Sequence, residues 1–343
     1  MFPRRFVVGL AVLLVLPTSG WGWGYRAHYT VNSGAITLLP EPLRKFYHLN
    51  SPYVVRHSVD PDLWGEMKEK APAYAWPSHA HYIDLDLLDN APFDGIPTTY
   101  QEALKTFGAE QLRKAGTLPW EIARRKTELT NAFRERNWED VIKLSSWLAH
   151  LLADATMPLH TTKNYKGQFT GNVILEEHGP NRHVHFRLEW GLISTFPEYY
   201  DTILGRAGSV RRIDDVSAEV WTTLKDSFDL IPEVLSADKE AAALDAGFGE
   251  TYYRAFDGRM RSLVQRQLAR SQELVASVWL TAWEDAGRPE VPTKRVIIEL
   301  PAYAPTGSAI GIHLALLTIL ILAMAVLVLA WRLVRTTGRA RAK

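Results

Sequence analysis

Along most of the chain apolar residues recur at helical spacing, and almost nowhere do they alternate as strands require. Val31, Ala35, Ile36 and Leu39 mark one helix, which Pro40 and Pro42 end. Tyr53 to Trp64 is turn-rich, with Asp60 and Asp62 on either side of Pro61, and residues 68–77 read as loop. Thr98 to Ala115 predicts a helix. Pro119 opens another, with Trp120, Ile122 and Leu129 on its inner face, and Asn137 to Ala155 forms a third. Residues 161–181 are polar and glycine-containing, hence a loop, while Val216 to Leu230 and Ser236 to Ala286 are long and amphipathic. The pattern predicts an all-α, multi-helix body over residues 23–287.

Two apolar runs fall outside that body. Arg4 and Arg5 precede a run from Phe6 to Leu16, followed by Pro17, Thr18, Ser19 and Gly20, the order of a secretory signal peptide. Gly20 and Gly22 suit cleavage before Trp23, and a cut before Trp21 is the alternative. From Ala309 to Trp331 the sequence is apolar apart from His313, and at about 1.5 Å per residue it is long enough to cross a bilayer. Arg332, Arg335, Arg339, Arg341 and Lys343 follow, which places residues 332–343 in the cytoplasm and the body on the other side. Residues 288–308, with four prolines, read as a stalk. The expectation is an exported single-pass protein whose body lies outside the cytoplasm, with no protein partner implied.

Composition narrows the chemistry. A formal net charge of +1 does not advertise a general polyanion binder. With no cysteine, disulfides, thiolate metal sites and thiol nucleophiles are excluded together. Any metal ligands must be histidine and carboxylate, the set zinc uses in hydrolytic sites.

Those residue types are concentrated. Seven of the eleven histidines fall between His79 and His185. In Trp147 to His160 (WLAHLLADATMPLH), His150 and Asp154 share one helix face, and Pro158 delivers His160 just beyond. An imidazole beside a carboxylate on a Leu- and Ala-rich helix is costly to bury unless an ion compensates it. The four-residue spacing repeats at His185 and Glu189, and HAHYID supplies His79 and His81.

These motifs resemble those of the bacterial zinc-dependent phospholipases C and the zinc-dependent single-strand nucleases of fungi and plants. The resemblance covers Trp23 to about Trp190. His150, Asp154 and His160 match the HxxxD…PLH unit, His185 and Glu189 the later HxxxE/D element, WGYRAH (Trp23 to His28) the nuclease N-terminus, and His81 the HYID ligand. It implies an all-helical fold with a trinuclear zinc cleft. One ion would take Asp62, His81, His150 and Asp154; a second, His160, His185 and Glu189. The third would take the amine and carbonyl of Trp23, His28 and a shared Asp154. Asp62 and Asp154 are the implied catalytic carboxylates. Asp60 and His79 stay open as alternatives to Asp62 and His81. The resemblance also implies base recognition by Tyr82 and Asp84, and an Asn172 contact in the loop after His160.

Leu63, Trp64 and Gly65 follow Asp62, so the arginine that nucleases place three residues on is missing, and Glu189 is the phospholipase choice. Three readings follow. The first is a nuclease or nucleotidase acting on single-stranded nucleic acid or nucleotides. The second is a phospholipase C cleaving phospholipid head groups. The third is a zinc-binding, membrane-anchored ectodomain without catalysis.

Overall fold

Residues 24–66, 77–175, 183–201, 203 and 208–298 are described by the computed structural model, and every regular element among them is helical. In chain order they are α1 (Tyr25–Leu38), α2 (Leu43–Arg56), α3 (Asp60–Glu66), α4 (Leu85–Leu88), α5 (Tyr100–Ala115), α6 (Leu118–Glu135) and α7 (Trp138–Asp154). Then come α8 (Val184–Phe186), a π-helical turn (Arg187–Leu192), α9 (Ile193–Thr195) and α10 (Pro197–Asp201). The last are α11 (Val216–Asp229), α12 (Ile231–Leu244) and α13 (Glu250–Asp285).

Local chemistry explains the starts and breaks. Thr99, Asn137 and Asp215 each accept the backbone N–H three residues on, capping α5, α7 and α11. The amphipathic stretch expected from Ser236 to Ala286 is divided. Asp245 accepts the N–H groups of Gly247 and Gly249 at 3.0 and 2.9 Å, so its side chain stops α12 and α13 starts afresh. Asp60–Glu66 is helical rather than turn-like, because Pro61 falls in the first turn, where a missing N–H costs nothing.

The 36-residue α13 runs through the core against α1, α6, α7 and α12. Its Trp279 is fully buried, stacks on Tyr47 of α2 at 4.4 Å, and donates its indole N–H to the Ser145 carbonyl of α7 at 3.2 Å. One side chain thereby joins three helices.

The segment carrying His81 is irregular, yet backbone hydrogen bonds fasten it on two sides. Ile83 and Leu85 donate to the carbonyls of His160 and Thr161 at 2.8 and 3.0 Å, while Asp84 donates to Ala115 at 2.6 Å and Leu118 to Tyr82 at 3.2 Å. Gly116 makes this approach feasible. Its φ is +92°, and a Cβ there would lie 2.0 Å from the Tyr82 carbonyl oxygen.

The chain divides into two units, residues 1–296 and 297–343. The start of the expected stalk lies along the first unit: Val291 is buried and Val296 donates to Asn50 Oδ1 at 2.9 Å. Among the described residues no helix is long and apolar enough to cross a membrane; the expected signal peptide at 1–22 and span at 309–331 lie outside them.

Gly116→Ala is expected to cost at least about 1–3 kcal/mol, the scale of backbone strain before any clash is added. Urea unfolding of chelator-treated protein measures it, and an unchanged midpoint would contradict the close approach.

Candidate metal centre

Helix α7 ends in a fully buried polar pair. His150 and Asp154 are both fully excluded from solvent, with His150 Nε2 3.2 Å from Asp154 Oδ2. The residue before a proline avoids helical backbone, and Met157 is extended, so the chain leaves α7 at Asp154 and re-enters a tight turn at Pro158–His160. That turn points His160 back, its Nδ1 3.7 Å from Asp154 Oδ1.

Three further segments converge on the pair. From α1, His28 stacks on the His150 ring at 3.9 Å and sets Nε2 3.6 Å from Asp154 Oδ1. From α3, Asp62 Oδ1 lies 3.4 Å from His150 Nε2 and 3.6 Å from His81 Nδ1. His81 Nδ1 is in turn 3.0 Å from His150 Nε2 and 3.1 Å from Asp154 Oδ2. In the π-helical turn, Glu189 Oε2 is 3.1 Å from His185 Nε2 and 3.8 Å from His160 Nε2. Asp154 therefore presents one oxygen to His28 and His160 and the other to His81 and His150.

Three buried groups result, each with ligand atoms within 4.8 Å of one another: His28, His150 and Asp154; Asp62, His81 and His150; His160, His185 and Glu189. Each could hold a metal ion. A direct observation bears on the fit. Both ring nitrogens of His28, Asp62 Oδ1, Asp154 Oδ1, His160 Nδ1, His185 Nε2 and Glu189 Oε2 are buried without any hydrogen-bond partner. An unsatisfied buried polar atom costs about 1–3 kcal/mol, so so many together would consume much of an ordinary domain's stability. Divalent cations among them would remove the deficit.

The electrostatics agree with that use. Burial holds His28 well below the usual histidine range and brings His160 to about 3 and His185 to about 4, so all three keep free lone pairs at neutral pH. The His150 tautomer is fixed from behind, because Nδ1 lies 2.7 Å from the Ser58 carbonyl, which only accepts, and Nε2 faces the cluster. Burial opposes charge on His150, but Asp154 and Asp62 outweigh it and hold its pKa well above the ordinary range. Burial also opposes charge on Asp154, but His150 and His160 hold it ionised. Glu189 is pushed well above the carboxylate range by burial first and by Asp62 and Asp154 after it.

The paired alternatives separate. Asp62 is buried in the cluster, whereas Asp60 turns to His57 Nδ1 at 2.9 Å. His81 is buried in the cluster, and it is His81 rather than His79 that the three groups include. Trp23 lies outside the described residues, but its neighbour Gly24 is buried against the Glu189 carbonyl and the Trp190 ring.

A cavity of about 310 Å³ opens over His81, His160 and His185, with Tyr82, Asp84 and Tyr165 in its walls. Burial, with Asp86 adding, raises the Asp84 pKa to about 7. Asn172 is not in the wall. Its Nδ2 donates to Asp238 Oδ2 at 2.7 Å and to the Leu235 carbonyl at 2.9 Å, and its Oδ1 accepts from Thr170 at 2.7 Å. That side chain is engaged in the interior. Tyr165 and Lys114 also line the cavity, unmarked by any motif; the one signal for Tyr165 is an aromatic in a polar loop just after His160.

For the chelator-treated protein these shifts fix a pH dependence. Between about pH 6 and 4.5, unfolding lets His28, His160, His185 and His183, which burial also lowers to about 3, take up protons, while Glu189 and Asp84 release one each and His150 only a fraction near the upper end. The unfolded state thus binds more protons, and stability falls as pH falls across that window. Thermal unfolding from pH 6 to 4.5 tests this, and a flat melting temperature would contradict it.

No protein-family model matches the chain, and neither a curated protein nor a solved structure matches it.

Proposed function

We propose that this chain is a zinc-dependent phosphoesterase of the phospholipase C and single-strand nuclease type, acting on single-stranded nucleic acid or nucleotides. The observation that carries the reading is the set of partnerless buried imidazole and carboxylate atoms on one side of an aromatic-walled cavity. Zinc suits the donor set, since it accepts nitrogen and carboxylate oxygen together and leaves catalytic sites open to a further ligand. When bound, such ions supply Lewis acidity and ionise water near neutral pH. The resemblance assigns three ions, with His28, Asp62, His81, His150, Asp154, His160, His185 and Glu189 as side-chain ligands and Trp23 as the backbone ligand.

The chain's own residues do the rest. Tyr82 and Tyr165 offer ring faces on which a base can stack, and Asp84 accepts its amino hydrogens when ionised. With a pKa of about 7, that acceptor is lost below neutrality. Lys114, at the cavity, offers charge to a phosphate. The phospholipase C reading rests on Glu189 and on the absent arginine after Asp62.

Turnover of single-stranded DNA or RNA, a 3′-nucleotide and phosphatidylcholine by the zinc-loaded protein tests the reading. Nucleotide substrates should be cleaved, with His150→Ala and Asp154→Ala each losing more than the about 100-fold that even an outer-shell partner can cost. Cleavage of lipid alone would transfer the assignment to phospholipase C, and metal content without turnover would leave a zinc-binding ectodomain. Because Gly24 abuts Glu189, one extra residue before Trp23 should remove one zinc equivalent by displacing the α-amine. Unchanged zinc content would refute that ligand.

A further inference from the structure

Helix α8 carries His185 and the π-helical turn that follows carries Glu189, and between the two candidate ligands lies a buried arginine. Arg187 is 1% exposed and points away from the metal groups into α12 and α13. Its Nε donates to Asp238 Oδ1 at 2.8 Å and its Nη2 to Asp238 Oδ2 at 2.8 Å, a two-pronged pair with a fully buried carboxylate. The guanidinium also donates to the Tyr252 hydroxyl at 3.1 Å and the Val173 carbonyl at 3.1 Å, and lies 4.0 Å over the Phe248 ring. Tyr252 and Asn172 complete the shell of Asp238, donating at 2.6 and 2.7 Å. The next residue, Tyr253, packs on the same turn from another side: a Cβ on Gly191 would lie 2.0 Å from its hydroxyl.

The arrangement is out of proportion to a surface turn. A buried ion pair is weak support for stability, because desolvation offsets its attraction, but its geometry is stiff when every oxygen is engaged. Here the Asp238, Tyr252 and Val173 contacts meet on the residue midway between His185 and Glu189. A π-helical turn is the wider and less favoured winding, and it needs outside restraint to persist. We propose that the Arg187–Asp238 pair, braced by Tyr252 and Asn172, is the positioning device that holds His185 and Glu189 at the spacing needed for one divalent ion with His160. The inference rests on the metal-centre reading, and goes beyond it by assigning Arg187, Asp238 and Tyr252 as positioning residues of one ion among the three.

The test is titration of the chelator-treated protein with Zn²⁺, and with Co²⁺ for its absorption bands, in wild type and in Asp238→Asn, Tyr252→Phe and His185→Ala. Wild type should bind, and His185→Ala should lose one equivalent. Tyr252→Phe, which keeps the ring, should weaken one equivalent about ten- to a hundredfold and leave the others unchanged. Asp238→Asn should lose that same equivalent, with one set of cobalt bands missing. A merely structural role would instead lower the melting temperature alike with and without metal and weaken all sites together. Should Asp238→Asn fail to fold, Tyr252→Phe decides. Undiminished affinity of every equivalent in Tyr252→Phe, with His185→Ala losing one, overturns the positioning role alone. No metal lost in His185→Ala overturns the reading of that metal group and the proposal with it.

Discussion

Everything in this molecule turns on the cost of burying Asp154. An ionised carboxylate at zero exposure, at the end of an apolar helix, is tolerable only where positive charge or donors surround it. Four imidazoles from three other segments and its own helix meet that need in part: His28, His81, His150 and His160 all lie within 3.7 Å of one of its oxygens. They meet it incompletely, since Oδ1 has no hydrogen-bond donor and several of the rings are themselves unpartnered. Unpartnered imidazole and carboxylate atoms at this density could hold metal ions.

The helical scaffold reads as a means of holding those groups still. Trp279 locks α2, α7 and α13 together, and the irregular segment with His81 is stitched to the turn that carries His160. Rigidity matters because a preformed site does not pay to reorganise its ligands when an ion arrives. The cavity takes one aromatic wall, Tyr82, from the same fastened segment and the other, Tyr165, from the loop after His160.

How much of this was legible in the sequence varies with the range of the interaction. His150 and Asp154, and again His185 and Glu189, announce themselves because a four-residue spacing on a helix is a local fact. Asp60 and Asp62, or His79 and His81, cannot be told apart by type or pattern; which one faces inward depends on the helical phase of α3 and on backbone bonds to Gly116 and His160. Asp–Pro–Asp looked like a turn because proline punctuates chains, yet in a first helical turn it is neutral. The pairing of Arg187 with Asp238 left no mark, because Asp238 lies 51 residues on in a stretch with no motif. Asn172 was assigned to substrate through resemblance, and only packing shows that its amide is engaged with Asp238.

Anomalous diffraction at the zinc absorption edge, on crystals of zinc-loaded protein, addresses the central claim most directly. The account predicts strong peaks inside the three buried groups, with ligand atoms of His28, His81, His150, Asp154, His160, His185 and Glu189 at about 2.0–2.2 Å from a peak. An anomalous map with no peak among these side chains, their nitrogens and oxygens instead paired by protons and water, would contradict it.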